Sequence, residues 1–178
     1  LSDIAEEQER DPFDIAADLV IDEPDLYVAC GVMSHDDMRH AMAQDWLMFS
    51  SDGDAVPMVE ETDAPVVDHP RAFGSQARVL RKFVREEKIL TLENAIRKMT
   101  SLPAQFLQLK DRGQLLRGYK ADIVIFDPET VRDSATHADA HRYSTGVETV
   151  IVGGKISIEN GEYNGALNGK LLLLTENK

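Results

Sequence analysis

Two short runs in this chain are apolar on both faces. They limit its architecture more than any other feature. Leu26 to Met33 reads LYVACGVM and Trp46 to Phe49 reads WLMF, with no polar residue alternating in either. A strand with one wet face alternates apolar and polar residues, whereas a continuous apolar run suits a strand covered on both sides, as in a parallel sheet. Helical patterns surround both runs. Ser2 to Arg10 carries a plausible N-cap at Ser2 and acids in its first turn. Asp11-Pro12 restarts a helix, with Asp as cap and Pro at the first helical position, and Phe13, Ile15, Ala16, Leu19 and Val20 follow at helical spacing. Glu23-Pro24 ends it. Ser34 caps a further helix over Asp36 to Gln44. The order helix, strand, helix, strand predicts an α/β fold, either an open parallel sheet or a (β/α) barrel.

The rest of the chain changes character. A polar loop runs from Asp54 to Asp68, long enough to suggest a functional role. Helices are expected over Gln76 to Glu87 and from Thr91 through Met99, with Leu102-Pro103-Ala104 as a break and a short helical stretch to Leu109. Ile123 to Phe126 reads as a buried strand closed by Asp127-Pro128. Gly153-Gly154 between two β-rich runs, Val147 to Val152 and Lys155 to Ile158, is a hairpin signal. Asn160-Gly161 is another turn, and Lys170 to Leu174 reads as a last strand. This tail forms a small β unit distinct from the α/β part. The chain contains no internal repeat and no low-complexity segment.

Composition narrows the function classes. The net charge is −13, which argues against a nucleic-acid partner. The charge is uneven, with 19 acidic against 2 basic residues up to Asp68 and 13 against 17 from His69 onward. This is an acidic solvated surface, or one half attracting the other. No apolar run reaches the roughly 18 residues of a membrane span, and nothing at the start reads as a signal peptide. A single cysteine, Cys30, excludes an intrachain disulfide and agrees with a cytoplasmic location. It reads as a small core residue.

Candidate chemistry concentrates near Asp52. Ser50-Ser51-Asp52-Gly53 follows a buried run directly, and barrel enzymes carry their sites at the C-terminal ends of strands. A carboxylate there can bind metal or pass a proton to a leaving amine. On spacing alone Asp52 reads first as a turn residue, with Gly53 supplying the positive φ. Arg71 suits a bidentate grip on a carboxylate, or an ordinary surface ion pair. His69, before Pro70, reads as structural rather than as ligand or base. The spacings of a zinc site are missing: there is no His-x-His, His-Glu-x-x-His or Cys-x-x-Cys. His35 and His40 are five apart and do not share a helix face. His137 and His141 are four apart but in loop-like surroundings.

Three strings carry a resemblance. Arg97-Lys98-Met99-Thr100-Ser101-Leu102-Pro103-Ala104, then Leu109-Lys110-Asp111-Arg112-Gly113, then Gly118 through Pro128 (GYKADIVIFDP) resemble the C-terminal region of D-aminoacylases of the amidohydrolase superfamily. With Ser51-Asp52-Gly53 and His69-Pro70-Arg71 upstream, the chain looks like the N-acyl-D-amino-acid deacylase branch from about Leu1 to Leu173. It departs at Ser50, where the family has Gly, and in the length and acidity of the loop from Asp54 to Asp68.

The resemblance implies the C-terminal part of a (β/α) TIM-type barrel over residues 1–113, followed by part of a small β-sandwich over 114–178. It implies a hydrolase with one or two zinc ions that cleaves N-acyl-D-amino acids to a carboxylic acid and a D-amino acid. Asp52 would act as general base toward the attacking water and then protonate the leaving nitrogen, with a possible role as metal ligand. Arg71 would hold the substrate α-carboxylate, and Met33 would line the side-chain pocket or else plug a barrel end. The other metal ligands of the family lie upstream of these residues, so the chain by itself is expected to be inactive and not to hold zinc. Its expected partners are the small substrate and the remainder of the parent chain or a second copy. Two other readings stay open: a cyclic-amide hydrolase resembling dihydroorotase, and a non-catalytic interaction module.

Overall fold

In the computed structural model, residues 1–24, 26, 33–53 and 69–172 are described. The expected strand over 26–33 and the loop over 54–68 therefore fall largely or wholly outside the described residues. The chain divides into two compact units, residues 1–37 and 38–178.

The first unit is built on two helices, α1 (Ser2–Gln8) and α2 (Pro12–Asp22). Ser2 is the first helical residue of α1 rather than its cap, and the helix stops at Gln8 because Glu9 turns left-handed at φ 51°. Asp11 caps α2 as expected, accepting from the Phe13 amide at 2.8 Å, with Pro12 at the first helical position. Ala5 and Ile15 are buried, while Phe13, Val20 and Ile21 are exposed.

Helix α3 (His35–Ala43) begins where Ser34 accepts from the Asp37 amide at 3.0 Å, as the cap requires. In the second unit, α4 (Arg71–Arg78) runs directly into a π-helix, Val79–Glu86. The expected helix over Gln76 to Glu87 is thus longer and changes hydrogen-bond period midway. The core is Ala77, Val79, Leu80, Phe83, Leu90, Ala95 and Val131, with Met38, Met42, Phe49, Phe126 and Val147 packed against it. Thr91 caps α5 (Leu92–Met99) through the Asn94 amide at 3.2 Å. The break falls at Thr100, not at Pro103. Pro103 is the third residue of α6 (Ser101–Phe106), where the missing N–H has no helical acceptor to lose.

The sheet order is β1 (Ile123–Phe126), β2 (Val147–Val152), β3 (Lys155–Glu159), β4 (Glu162–Tyr163), antiparallel throughout. Both predicted turns are two-residue hairpins. Gly153 and Gly154 have φ of 57° and 81°, and Asn160 and Gly161 have φ of 53° and 80°, the doubly positive pattern of a type I′ turn. The expected burial of β1 is not met. Val124 and Ile125 are about half exposed, because among the described residues no second layer covers them.

A further expectation fails. Trp46–Phe49 is a turn followed by irregular extended chain, with no partner strand among the described residues. In place of a ladder, the Leu47 amide bonds the Gln44 carbonyl at 3.2 Å and the Phe49 amide meets the Lys98 carbonyl of α5 at 3.5 Å. Of the last strand expected over Lys170 to Leu174, residues 170–172 are irregular chain and 173–174 lie outside the described residues. The described residues are therefore mixed helix and strand, and their sheet is the antiparallel one of the tail, where hairpin turns were expected. No helix among them is long and apolar enough to cross a membrane.

Candidate active site

The connector from Gln44 to Gly53 leaves α3 and is held by α5. Asn94 Nδ2 donates to Asp45 Oδ1 at 3.2 Å, Arg97 donates to the Asp45 carbonyl, and Lys98 Nζ donates to the Met42 carbonyl. The Lys98 ammonium also sits over the Phe49 ring, 5.2 Å from its centroid. Lys98 is fully buried, and this desolvation lowers its pKa, opposed by Asp45 and reinforced by Arg97.

The connector then turns twice on side chains. Ser50 Oγ accepts from the Asp52 amide at 3.3 Å, and Ser51 Oγ accepts from the Gly53 amide at 3.2 Å. These serine turns leave Asp52 itself at φ 51°. The expectation that Gly53 supplies the positive φ is corrected: the strained residue is the aspartate. What Gly53 provides is clearance, since a Cβ there would lie 3.0 Å from the Ala72 Cα.

Arg71 opens α4, and its Nη1 lies 3.0 Å from Asp52 Oδ2. A cation at a helix N-terminus opposes the helix dipole, and α4 has no acid in its own first turn. The Asp52 carboxylate, 19 residues away in sequence, supplies the missing negative charge. The side chains are 88% exposed for Asp52 and 44% for Arg71. A pair this wet adds roughly 0–1 kcal/mol to stability, and both groups remain open to a ligand.

Behind Arg71 stands His69. Its Nδ1 accepts from the Arg71 amide at 3.1 Å, so the neutral ring carries its proton on Nε2. His137 meets it edge to face at 4.8 Å. Burial, then Arg71, then His137 lower the His69 pKa. Phe73 of α4 packs on His141 and Tyr143 at 5.1 and 6.2 Å, and its carbonyl accepts from Ser144 Oγ at 3.1 Å. His137 and His141 lie outside helices and strands, as their surroundings suggested.

The structure thus brings together two of the three sequence-predicted site residues, Asp52 and Arg71. Met33 belongs to the first unit and is 81% exposed. Sequence reasoning passed over Lys98, because helical spacing puts it at the border between the apolar face of Leu92, Ala95, Ile96 and Met99 and the polar side at Asn94. Among the described residues no group of three or more His, Cys, Asp or Glu could hold a metal ion. The exposed Asp52 carboxylate is chemically suited to one zinc–oxygen bond, but a zinc site needs three or four donors.

A model of the amidohydrolase family matches residues 48–158. The chain is 42% identical over 125 residues to an N-acyl-D-glutamate deacylase of Alcaligenes xylosoxydans xylosoxydans, covering 68% of this chain and 23% of the relative. A D-aminoacylase of solved structure superposes with a TM-score of 0.74 at 34% identity, covering 95% of this chain and 33% of that one. An N-acyl-D-glutamate deacylase from Bordetella bronchiseptica, solved with zinc and a phosphonate mimic of the tetrahedral intermediate, gives a TM-score of 0.62 at 37% identity, covering 70% of this chain and 24% of that one. The resemblance to N-acyl-D-amino-acid deacylases is borne out. The chain spans a third or less of the length of these relatives.

Proposed function

The chain belongs to the amidohydrolase family, and from that premise we propose that it forms the C-terminal part of a zinc-dependent hydrolase of N-acyl-D-amino acids. The products are a carboxylic acid and a D-amino acid. The observation that carries this reading is the pairing of Asp52 with Arg71 at 3.0 Å, on an exposed surface. It puts a proton-handling carboxylate beside a carboxylate-binding guanidinium. An N-acyl amino acid presents its scissile amide two bonds from its α-carboxylate, so the substrate needs these two functions side by side.

In this reading Asp52 accepts a proton from the attacking water and returns it to the leaving nitrogen. Arg71 holds the α-carboxylate. Among the described contacts only its Nη1 is engaged by Asp52, so other donors of the guanidinium fork remain for substrate. Zinc, when bound, supplies a Lewis acid and makes water acidic enough to lose its proton near neutral pH. Asp52 offers it one oxygen, and the other donors come from elsewhere in the native polypeptide. We assign residues 1–113 to the last part of a TIM-type barrel and 114–178 to part of a β-sandwich, with Met33 lining the side-chain pocket. The chain works in the cytoplasm with the remainder of its polypeptide or a second copy.

The test is a substrate panel on the zinc-loaded native polypeptide. N-acetyl-D-glutamate, N-acetyl-D-aspartate and N-acetyl-D-methionine are compared with their α-methyl esters and with dihydroorotate. Turnover confined to the free α-carboxylates supports the reading. Hydrolysis of dihydroorotate alone replaces it with the cyclic-amide reading.

A further inference from the structure

A buried ammonium costs several kcal/mol unless its bonds compensate. Lys98 is nevertheless fully buried in α5. A methionine would fill much the same volume without that cost. What lysine adds is two directional contacts that bracket the connector to Asp52: the Met42 carbonyl in the last turn of α3, from which the connector leaves, and the Phe49 ring near its end. The Lys98 backbone holds the same place, since its carbonyl accepts from the Phe49 amide. Three residues beyond Asp52's near neighbour Ser50, at Gly53, the chain is pinned again, this time by its close approach to Ala72 of α4. Asp52 lies between the two pins with its backbone at φ 51° and its carboxylate on Arg71, the residue before Ala72. Among the described residues the connector is held from α5, by the Lys98 backbone and ammonium and by Asn94 and Arg97 at Asp45.

We propose that Lys98 is a positioning residue for Asp52, fixing the connector through Phe49 and Met42 so that the carboxylate meets Arg71 and the substrate at the reacting distance. The proposal rests on the reading of Asp52 as the proton-handling group. Misplacing such a group by about 1 Å costs on the order of 100-fold in rate, while a substrate gripped by Arg71 still binds.

The experiment compares the native, zinc-loaded polypeptide with its Lys98→Met and Asp52→Asn variants, on whichever N-acetyl-D-amino acid the parent turns over fastest. Rates are normalised to folded protein, and a crystal structure of Lys98→Met is determined. The expected result is a kcat about 100-fold lower in Lys98→Met with KM within about threefold, and loss of the contact between Asp52 and Arg71 in its structure. A Lys98→Met variant with parental kcat beside an inactive Asp52→Asn, or with the contact intact, overturns the positioning role alone. Parental kcat in Asp52→Asn overturns the reading of Asp52 and the proposal with it. If Lys98→Met does not fold, Phe49→Leu decides on the same criteria, because it removes the ring face and keeps an apolar side chain.

Discussion

Asp52 and Arg71, 19 residues apart in sequence, share an ion pair of 3.0 Å in which the aspartate is left-handed and the arginine opens a helix. Neither feature favours stability: αL strains a non-glycine residue, and a cation opposes the N-terminal dipole. Such strain is commonly retained at functional positions.

Replacing Asp52 by Asn therefore separates chemistry from folding. Asn tolerates αL as well as Asp does. The expected outcome is a fall in kcat of at least about 100-fold, with stability changed by no more than about 1 kcal/mol. Steady-state kinetics and urea denaturation of the native polypeptide read the two quantities.

Arg71→Lys keeps the charge and loses the planar fork. KM for substrates with a free α-carboxylate is expected to rise about 10- to 100-fold, the value of a charged hydrogen-bond pair of roughly 1.5–3 kcal/mol. The matching α-methyl esters should show little change between parent and variant. An equal loss on esters would mean that Arg71 does not read the carboxylate.

His69 should titrate below the ordinary histidine value, because burial, Arg71 and His137 all disfavour its charged form. Its folded pKa is depressed, so the stabilisation is present above the unfolded value near 6.5 and is lost as pH falls through the folded value. Protonation puts a hydrogen on Nδ1 and removes the acceptor for the Arg71 amide. NMR of the His69 ring and of the Arg71 amide should therefore report one common midpoint below 6.5. A midpoint at or above 6.5 contradicts this.

Arg81 ties the π-helix to the loop after β1. Its Nε donates to Asp133 Oδ1 at 2.6 Å, and the Asp133 side chain is only 8% exposed. Burial pushes the Asp133 pKa up, but its bonds to Arg81, with the backbone and Arg78, outweigh this and hold it below the usual carboxylate range. The resulting stabilisation is complete above the unfolded value of about 3.9 and is lost as pH falls through the folded value. Asp133→Ala, which leaves Arg81 with Glu86 as its remaining carboxylate partner, is expected to cost about 1.5–3 kcal/mol at pH 7 by urea denaturation. The difference from the parent should shrink as the pH is taken below about 4.

Gly146 has φ 79°, and a Cβ there would lie 2.5 Å from both the Cα and the N of Val131, a core residue. Gly146→Ala should destabilise the protein by at least about 2 kcal/mol, since strain and overpacking add. A melting temperature equal to the parent's would show that the β1–β2 connection yields more easily than its packing implies.

The sequence by itself determined the local punctuation of this protein. Asp11, Ser34 and Thr91 cap the helices they precede, because a side-chain oxygen two or three residues from an orphan amide needs nothing from the rest of the fold. Gly153-Gly154 and Asn160-Gly161 turn the chain for an equally local reason, their tolerance of positive φ. The strings around Thr100 and Ala121 pointed to the family. Other features were decided by tertiary structure. Trp46–Phe49 has the composition of a strand, yet a strand is a relation to a neighbour, and the Phe49 amide finds the Lys98 carbonyl instead. The π-helix from Val79 to Glu86 has no sequence period that separates it from an α-helix. Lys98 is buried only because a carbonyl and a ring from a segment about 50 residues away enclose its ammonium. The pairing of Asp52 with Arg71 is of the same kind: the residue types were legible, but their distance depends on how α4 and α5 hold the connector between them.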